Sequence, residues 1–205
     1  ILLNPAGSPY YEEDVRQACL ALSAYPGGLQ IGGGMNNENA AFFLEQGASH
    51  IIVTSFVFRD GMINYENLKK IVKVTGRERL VLDLSCRRRD DAYYIVTDRW
   101  QKFTDVKLTE EVLDELSGYC DEFLIHAVDV EGKAGGIEKD IAALLGGWDG
   151  IPVTYAGGVG TMEDLRQLKS LGRGKVDVTI GSALDLFGGA LRFEDVLEEI
   201  GRDYR

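Results

Sequence analysis

Seven short apolar runs recur along the chain: Ile1–Leu3, Gly28–Ile31, His50–Thr54, Arg79–Leu82, Glu122–His126, Pro152–Tyr155 and Val176–Ile180. They are rich in Val, Ile and Leu and lack strict alternation, the pattern of parallel strands buried on both faces. Turn residues follow each run, and helix-like stretches lie between most of them. Those stretches are Glu38–Gln46, Glu66–Val74, Glu110–Ser117, Ile137–Leu145, Thr161–Leu171 and Phe193–Ile200. Thr161 with Glu163 and Asp164 reads as an N-cap with acids in the first turn. Strand and helix alternate, which predicts an α/β fold with a parallel sheet. No linker or low-complexity stretch divides residues 1–205, so a single domain is expected.

The pattern also repeats within the chain. "LQIGGGMNNEN" leads through a helix to "SHIIVTSFVF", and "VTYAGGVGTMED" leads through a helix to "VDVTIGSALDLF". Two strand–glycine–helix–strand–serine modules suggest a duplicated half-barrel, as in an eight-stranded βα barrel. A doubly wound open sheet is the alternative, although no GxGxxG fingerprint supports it.

Composition narrows the function classes. Charged residues make up 27% and the formal net charge is −11, with a pI near 4.7. That argues against a general nucleic-acid binder, which shows a basic face. Local N–H cradles still hold phosphate inside an acidic protein. The three cysteines, Cys19, Cys86 and Cys120, lack metal-ligand spacing, so neither a metal site nor a disulfide framework is indicated. No apolar run approaches the roughly 18 residues of a membrane span.

Candidate chemistry sits at the strand ends. In barrels, active-site groups gather at the C-terminal ends of the strands, and the turns after the last two strands often bind phosphate. Gly157, Gly158, Gly181 and Ser182 fit such a cradle, and Gly33, Gly34, Thr54 and Ser55 form the matching set in the other half. The bland reading is tight-turn glycines only. Two cradles at one mouth would suit a bisphosphate ligand. Asp83 ends an apolar run in "ERLVLDLSCRRRDD", and His126 ends another. Both are catalytic candidates, against readings as a loop cap and a satisfied core histidine. Asp129 and Glu131 read as loop caps, and His50, at a strand start, as structural. Trp100 lies in a long loop after the Asp83 strand, where it stacks on a planar heterocycle or packs the loop. Arg87–Arg89 reads as a solvated charge run rather than a substrate clamp.

The motifs "LQIGGGMN", "HIIVTSFVF", "RLVLDLSCRR", "TDRWQKFTD", "EFLIHAVDVEG", "VTYAGGV" and "VDVTIGSALDLFGG" resemble the fungal and plant ProFAR isomerases of histidine biosynthesis (phosphoribosylformimino-5-aminoimidazole carboxamide ribotide isomerases). The resemblance spans essentially the whole chain. It implies a ribulose-phosphate-binding TIM barrel that needs no cofactor and no metal. The implied reaction is an Amadori rearrangement of a bisphosphate substrate, from aminoaldose to aminoketose. Asp83 then matches the general acid and Trp100 a tryptophan stacking on the aminoimidazole. His126, where bacterial relatives usually carry threonine, matches a hydrogen-bonding helper. Gly33, Gly34 and Ser55 match one phosphate site, and Gly158 and Ser182 the other. The family's first strand, with its catalytic aspartate, finds no match, and Ile1-Leu2-Leu3 aligns with strand two. An incomplete record of a barrel of about 250 residues is therefore expected. The alternatives are a related phosphosugar barrel, such as the pathway's cyclase, or an inactive truncated fragment. A monomer without nucleic-acid or membrane partners is expected, in the cytoplasm, or in the plastid if the source is a plant.

Overall fold

The structure is a computed structural model that describes residues 1–132 and 135–201. Residues 202–205, the end of the expected domain, lie outside the described residues, as do 133–134. In chain order the strands are β1 (Ile51–Val53), β2 (Phe58–Arg59), β3 (Met62–Ile63), β4 (Leu80–Asp83), β5 (Cys86–Arg89), β6 (Ala92–Thr97), β7 (Lys102–Lys107), β8 (Glu122–His126), β9 (Val153–Ala156) and β10 (Val176–Thr179). The helices are α1 (Tyr11–Ala24), α2 (Ala40–Glu45), α3 (Tyr65–Thr75), α4 (Glu110–Ser117), α5 (Lys139–Gly147), α6 (Met162–Leu171) and α7 (Phe193–Gly201).

The central sheet is parallel, in the order β1-β4-β8-β9-β10. Single parallel bridges, Leu2 with Gly32 and Ile31 with Ile51, extend it by the two N-terminal runs. Strand order follows chain order without reversal. A doubly wound sheet needs a reversal, so the arrangement is that of a βα barrel, although hydrogen bonds do not close the ladder into a ring. The Gly28–Ile31 run makes only bridges rather than a full strand.

Strand periodicity sorts the residues. Ile51, Val53, Leu80, Leu82, Phe123, Ile125, Val153 and Tyr155 are buried in the hydrophobic core. The core also takes one stripe of each major helix: Leu68 and Ile71 of α3, Leu113 and Leu116 of α4, Ile141 and Leu145 of α5, Leu165 and Leu168 of α6. The opposite strand face carries Ile52 and Thr54, Val81 and Asp83, and Glu122, Leu124 and His126. On that face Glu122 of β8 is tied to β9 and to the Gly28–Ile31 run. It accepts from Gln30 Nε2 at 2.6 Å and from Thr154 Oγ1 at 2.6 Å.

The expected cap of α6 is a full capping box. Asp164 N donates to Thr161 Oγ1 at 3.1 Å, and Thr161 N donates to Asp164 Oδ2 at 2.9 Å. α2 starts later than its periodicity predicts, because Asn36 and Asn39 cap one another's backbone ahead of it. Among the described residues no helix is long and apolar enough to cross a membrane.

Two features correct the sequence reading. The long loop after Asp83 is a three-stranded antiparallel meander, β5-β6-β7. The arginine run is not freely solvated, because it forms β5. Arg87 Nε donates to Asp129 Oδ1 at 2.9 Å, Arg88 N donates to Asp129 Oδ2 at 2.8 Å, and the Arg89 guanidinium lies 3.8 Å from the centroid of Tyr94. The two bonds to Asp129 bind the meander to the turn after β8, and the cation–π contact holds Arg89 of β5 on Tyr94 of β6.

Candidate active site

Asp83 closes β4 at the C-terminal rim of the sheet. The residue keeps a narrow accessible edge, but protein atoms enclose its carboxyl. Two hydroxyls hold it. Thr54 Oγ1, just past β1, donates to Oδ2 at 2.9 Å, and Ser85 Oγ donates to Oδ1 at 2.7 Å. Burial pushes the carboxyl above its ordinary value, and the Ser85 and Thr54 hydrogen bonds and nearby His126 offset part of that rise. A carboxyl raised by enclosure keeps its proton to higher pH, which is what a general acid requires.

Trp100 and His126 form the roof. The tip of the meander, Asp98-Arg99-Trp100, holds three successive non-glycine residues in the left-handed region, with φ of 51°, 57° and 68°. Each such residue costs about 1–2 kcal/mol, so this turn is held by its contacts. The Trp100 indole meets the His126 ring edge-on, with centroids 4.8 Å apart. Its Nε1–H donates to Ser85 Oγ at 3.2 Å, and Asp98 pairs with Lys102 at 2.7 Å. His126 Nε2 lies 3.0 Å from Glu131 Oε2, without the alignment of a hydrogen bond. Glu131, read from sequence as a loop cap, thus faces the histidine. His50 sits at the opposite strand end, 3.2 Å from Asp121.

The glycine turns occupy the same rim, and they differ in what explains them. Gly33 (φ +93°) packs against Leu3, whose carbonyl oxygen would lie 2.4 Å from an added Cβ. Gly157 (φ +113°) and Gly158 (φ +77°) press on the carbonyls of Ala127 and Gly136, at 2.7 and 2.1 Å from such a Cβ. The fold alone requires those three. Gly34 (φ +70°) has open space around it, so only its backbone angle calls for glycine. Gly181 has no left-handed φ, and no atom of the described residues lies within 4 Å of an added Cβ. Ser55 and Ser182 are exposed on the rim.

The structure therefore brings together Asp83, Thr54, Trp100 and His126 from the predicted set, and adds Ser85. Thr54, expected beside a phosphate, gives its hydroxyl to Asp83. Ser85 carried a usable signal, because residues two apart on an extended chain share a face.

A profile of a family described as histidine biosynthesis protein matches residues 10–191. A chloroplastic 1-(5-phosphoribosyl)-5-((5-phosphoribosylamino)methylideneamino) imidazole-4-carboxamide isomerase of Medicago truncatula is 57% identical over 177 residues, covering 86% of this chain and 57% of that protein. The isomerase of the same name from Yarrowia lipolytica is 46% identical over 187 residues, covering 87% and 71%. That of Saccharomyces cerevisiae is 43% identical over 182 residues, covering 85% and 69%. The chain thus spans little more than half of the Medicago relative and about 70% of these two fungal ones.

Proposed function

The chain belongs to the histidine biosynthesis protein family, and from that premise we propose that it is the barrel of an aldose–ketose isomerase acting on ProFAR. The observation that carries this reading is Asp83: a carboxyl enclosed at a strand end, held by two hydroxyls and raised by burial, beneath a tryptophan.

In this reading Asp83 gives its proton to the ribosyl ring oxygen. The C1′–O bond breaks and the amine lone pair closes C1′=N. A base removes the C2′ proton, the released electron pair forms C1′=C2′ of an enolamine, and the C1′=N π pair returns to the nitrogen. Proton return to C1′, with loss of the C2′ hydroxyl proton, gives the ketone. Product and substrate are isomers, so no external oxidant or reductant enters. His126 hydrogen-bonds the opening sugar, and Trp100 stacks on the aminoimidazole. Gly33, Gly34 and Ser55 hold one phosphate, and Gly157, Gly158, Gly181 and Ser182 the other. Thr54 serves the acid rather than the phosphate. The base is a second carboxylate, as the family resemblance implies. The enzyme works as a monomer, in the plastid if its source is a plant and in the cytoplasm otherwise.

Incubation of the full-length protein with ProFAR tests the proposal. Asp83→Asn should lose about 10²–10⁴-fold in turnover, the usual contribution of a general acid, with substrate binding retained. Near-parental turnover in that variant would remove Asp83 from the chemistry. Product formed only when ammonia is supplied would assign the chain to the cyclase instead.

A further inference from the structure

Ser85 has no part in the steps above, yet it is a fully buried polar side chain lying between two of the groups that do. Its oxygen accepts from Trp100 Nε1 at 3.2 Å, and its own proton goes to Asp83 Oδ1 at 2.7 Å. An indole N–H donates only. The chain of bonds therefore has one direction, from indole to hydroxyl to carboxylate. A hydroxyl that is already accepting is polarised into a stronger donor. At the far end, Trp100 stands on three consecutive left-handed residues, a conformation its side-chain contacts must hold in place. The hydroxyl is one of those contacts.

We propose that Ser85 is a positioning residue that couples the seating of the Trp100 turn to the orientation of the Asp83 carboxyl. This rests on the reading of Asp83 as the general acid. With Trp100 seated, Oδ1 receives the Ser85 proton, and Oδ2 is left to carry the acid proton, with Thr54 free to turn its lone pair toward it. With Trp100 lifted, Ser85 loses its donor, its rotor is released, and Asp83 is held by Thr54 alone. The acid is thus aimed when the tryptophan is down. The titratable groups facing Asp83 are His126 on β8, with Glu131 against it, and the Cys86 thiol of β5, which burial pushes far up.

Fluorescence reads this coupling without turnover. The chain has two tryptophans, and subtracting the emission of a Trp100→Phe variant cancels Trp148. Trp100 emission should step with pH as Asp83 ionises. Asp83→Asn should abolish the step. His126→Asn should keep it, which separates the carboxyl from the imidazole that also touches the indole. Ser85→Ala should cut the step at least to half, and Ser85→Thr, which keeps the hydroxyl, should restore it. In turnover, Ser85→Ala should lower kcat about 10–150-fold, the size of one hydrogen bond to a charged group, with KM within about twofold of parent. A full-sized step in Ser85→Ala, or a step that survives in Asp83→Asn, overturns the proposal. If Ser85→Ala does not fold, Trp100→Phe decides: the carbon-13 titration midpoint of the Asp83 carboxyl must move up when the indole N–H is lost, and an unmoved midpoint overturns it. A coupled step in a protein that does not turn over ProFAR would leave the relay standing and discard the isomerase reading. Turnover with no coupling would do the reverse.

Discussion

Two glycines on the rim allow the needs of the fold and those of the proposed phosphate to be tested apart. At Gly158, φ is +77° and an added Cβ would lie 2.1 Å from the Gly136 carbonyl oxygen. Alanine there carries about 1–2 kcal/mol for the left-handed backbone and about 1–3 kcal/mol for overpacking. A domain of this size shifts Tm by roughly 2–4 °C per kcal/mol, so Gly158→Ala should lower Tm by about 4–20 °C. At Gly181 neither cost arises, because its φ is not left-handed and no atom of the described residues lies within 4 Å of an added Cβ. Gly181→Ala should hold stability within about 0.5 kcal/mol, as an ordinary surface change does. If that open space is where a phosphate approaches the backbone, the methyl group fills it. Losing one hydrogen bond to a charged group, about 1.5–3 kcal/mol, weakens binding by roughly 10–150-fold. Thermal unfolding by circular dichroism and titration calorimetry with ProFAR measure both variants. Parental affinity in Gly181→Ala would refute the phosphate assignment of that turn. A Tm loss in Gly181→Ala equal to that in Gly158→Ala would refute the separation itself.

Two further outcomes follow from carboxylates held by hydrogen bonds at the sheet. Burial raises Asp83 above its ordinary value of 3.8, so the folded protein holds that proton more tightly than the unfolded chain. Its contribution to stability is complete below the unfolded value and is lost as pH rises through the folded one. Asp83→Asn has no such titration. Urea unfolding over a pH series should therefore show the variant gaining on the parent as pH rises from about 4 toward neutrality, and a flat difference would contradict the enclosure of Asp83. Glu122→Ala strips both Gln30 and Thr154 of their acceptor and should cost about 1–3 kcal/mol, whereas Glu122→Gln, which keeps one acceptor oxygen, should cost less; equal losses would mean that packing, not these bonds, sets the value.

The parallel strands were legible because each is short, apolar and followed by a turn. Asp83 was legible because it interrupts that rule. The meander was not. Arg87–Arg89 find their partners at Asp129, at Asp140 and on Tyr94, and the first two are distant in sequence. Without them the run looks like solvated charge. The β2–β3 hairpin did carry a local signal, the Asp60-Gly61 pair with φ of 53° and 80°. Helix α1 is marked only by its first-turn acids, because it buries little more than Ala18 and Leu22. Trp100 could be placed on the long segment after the Asp83 strand, but its bond to Ser85 depends on how the meander folds back.

The internal echo explains why Thr54 is read as a phosphate residue. In the two modules, "VTS" and "IGS" align Thr54 with Gly181 and Ser55 with Ser182. A symmetric reading gives equivalent positions equivalent duties, and hence a phosphate to each. Yet a proton donor has to be aimed from one side of a sugar, so a barrel built of like halves must break its symmetry at the acid. On the proposed reading of Asp83 as the acid, it does so at this aligned pair. One half presents a hydroxyl, and Asp83 takes it. The other presents a glycine, with open space where a side chain would begin. Thr54→Gly should therefore disturb Asp83 and leave phosphate affinity near the parental value, whereas at position 181 alanine should do the opposite. Titration calorimetry with ProFAR beside the pH dependence of unfolding would show whether the halves have diverged in this way, and a loss of phosphate affinity in Thr54→Gly comparable to that in Gly181→Ala would restore the symmetric assignment.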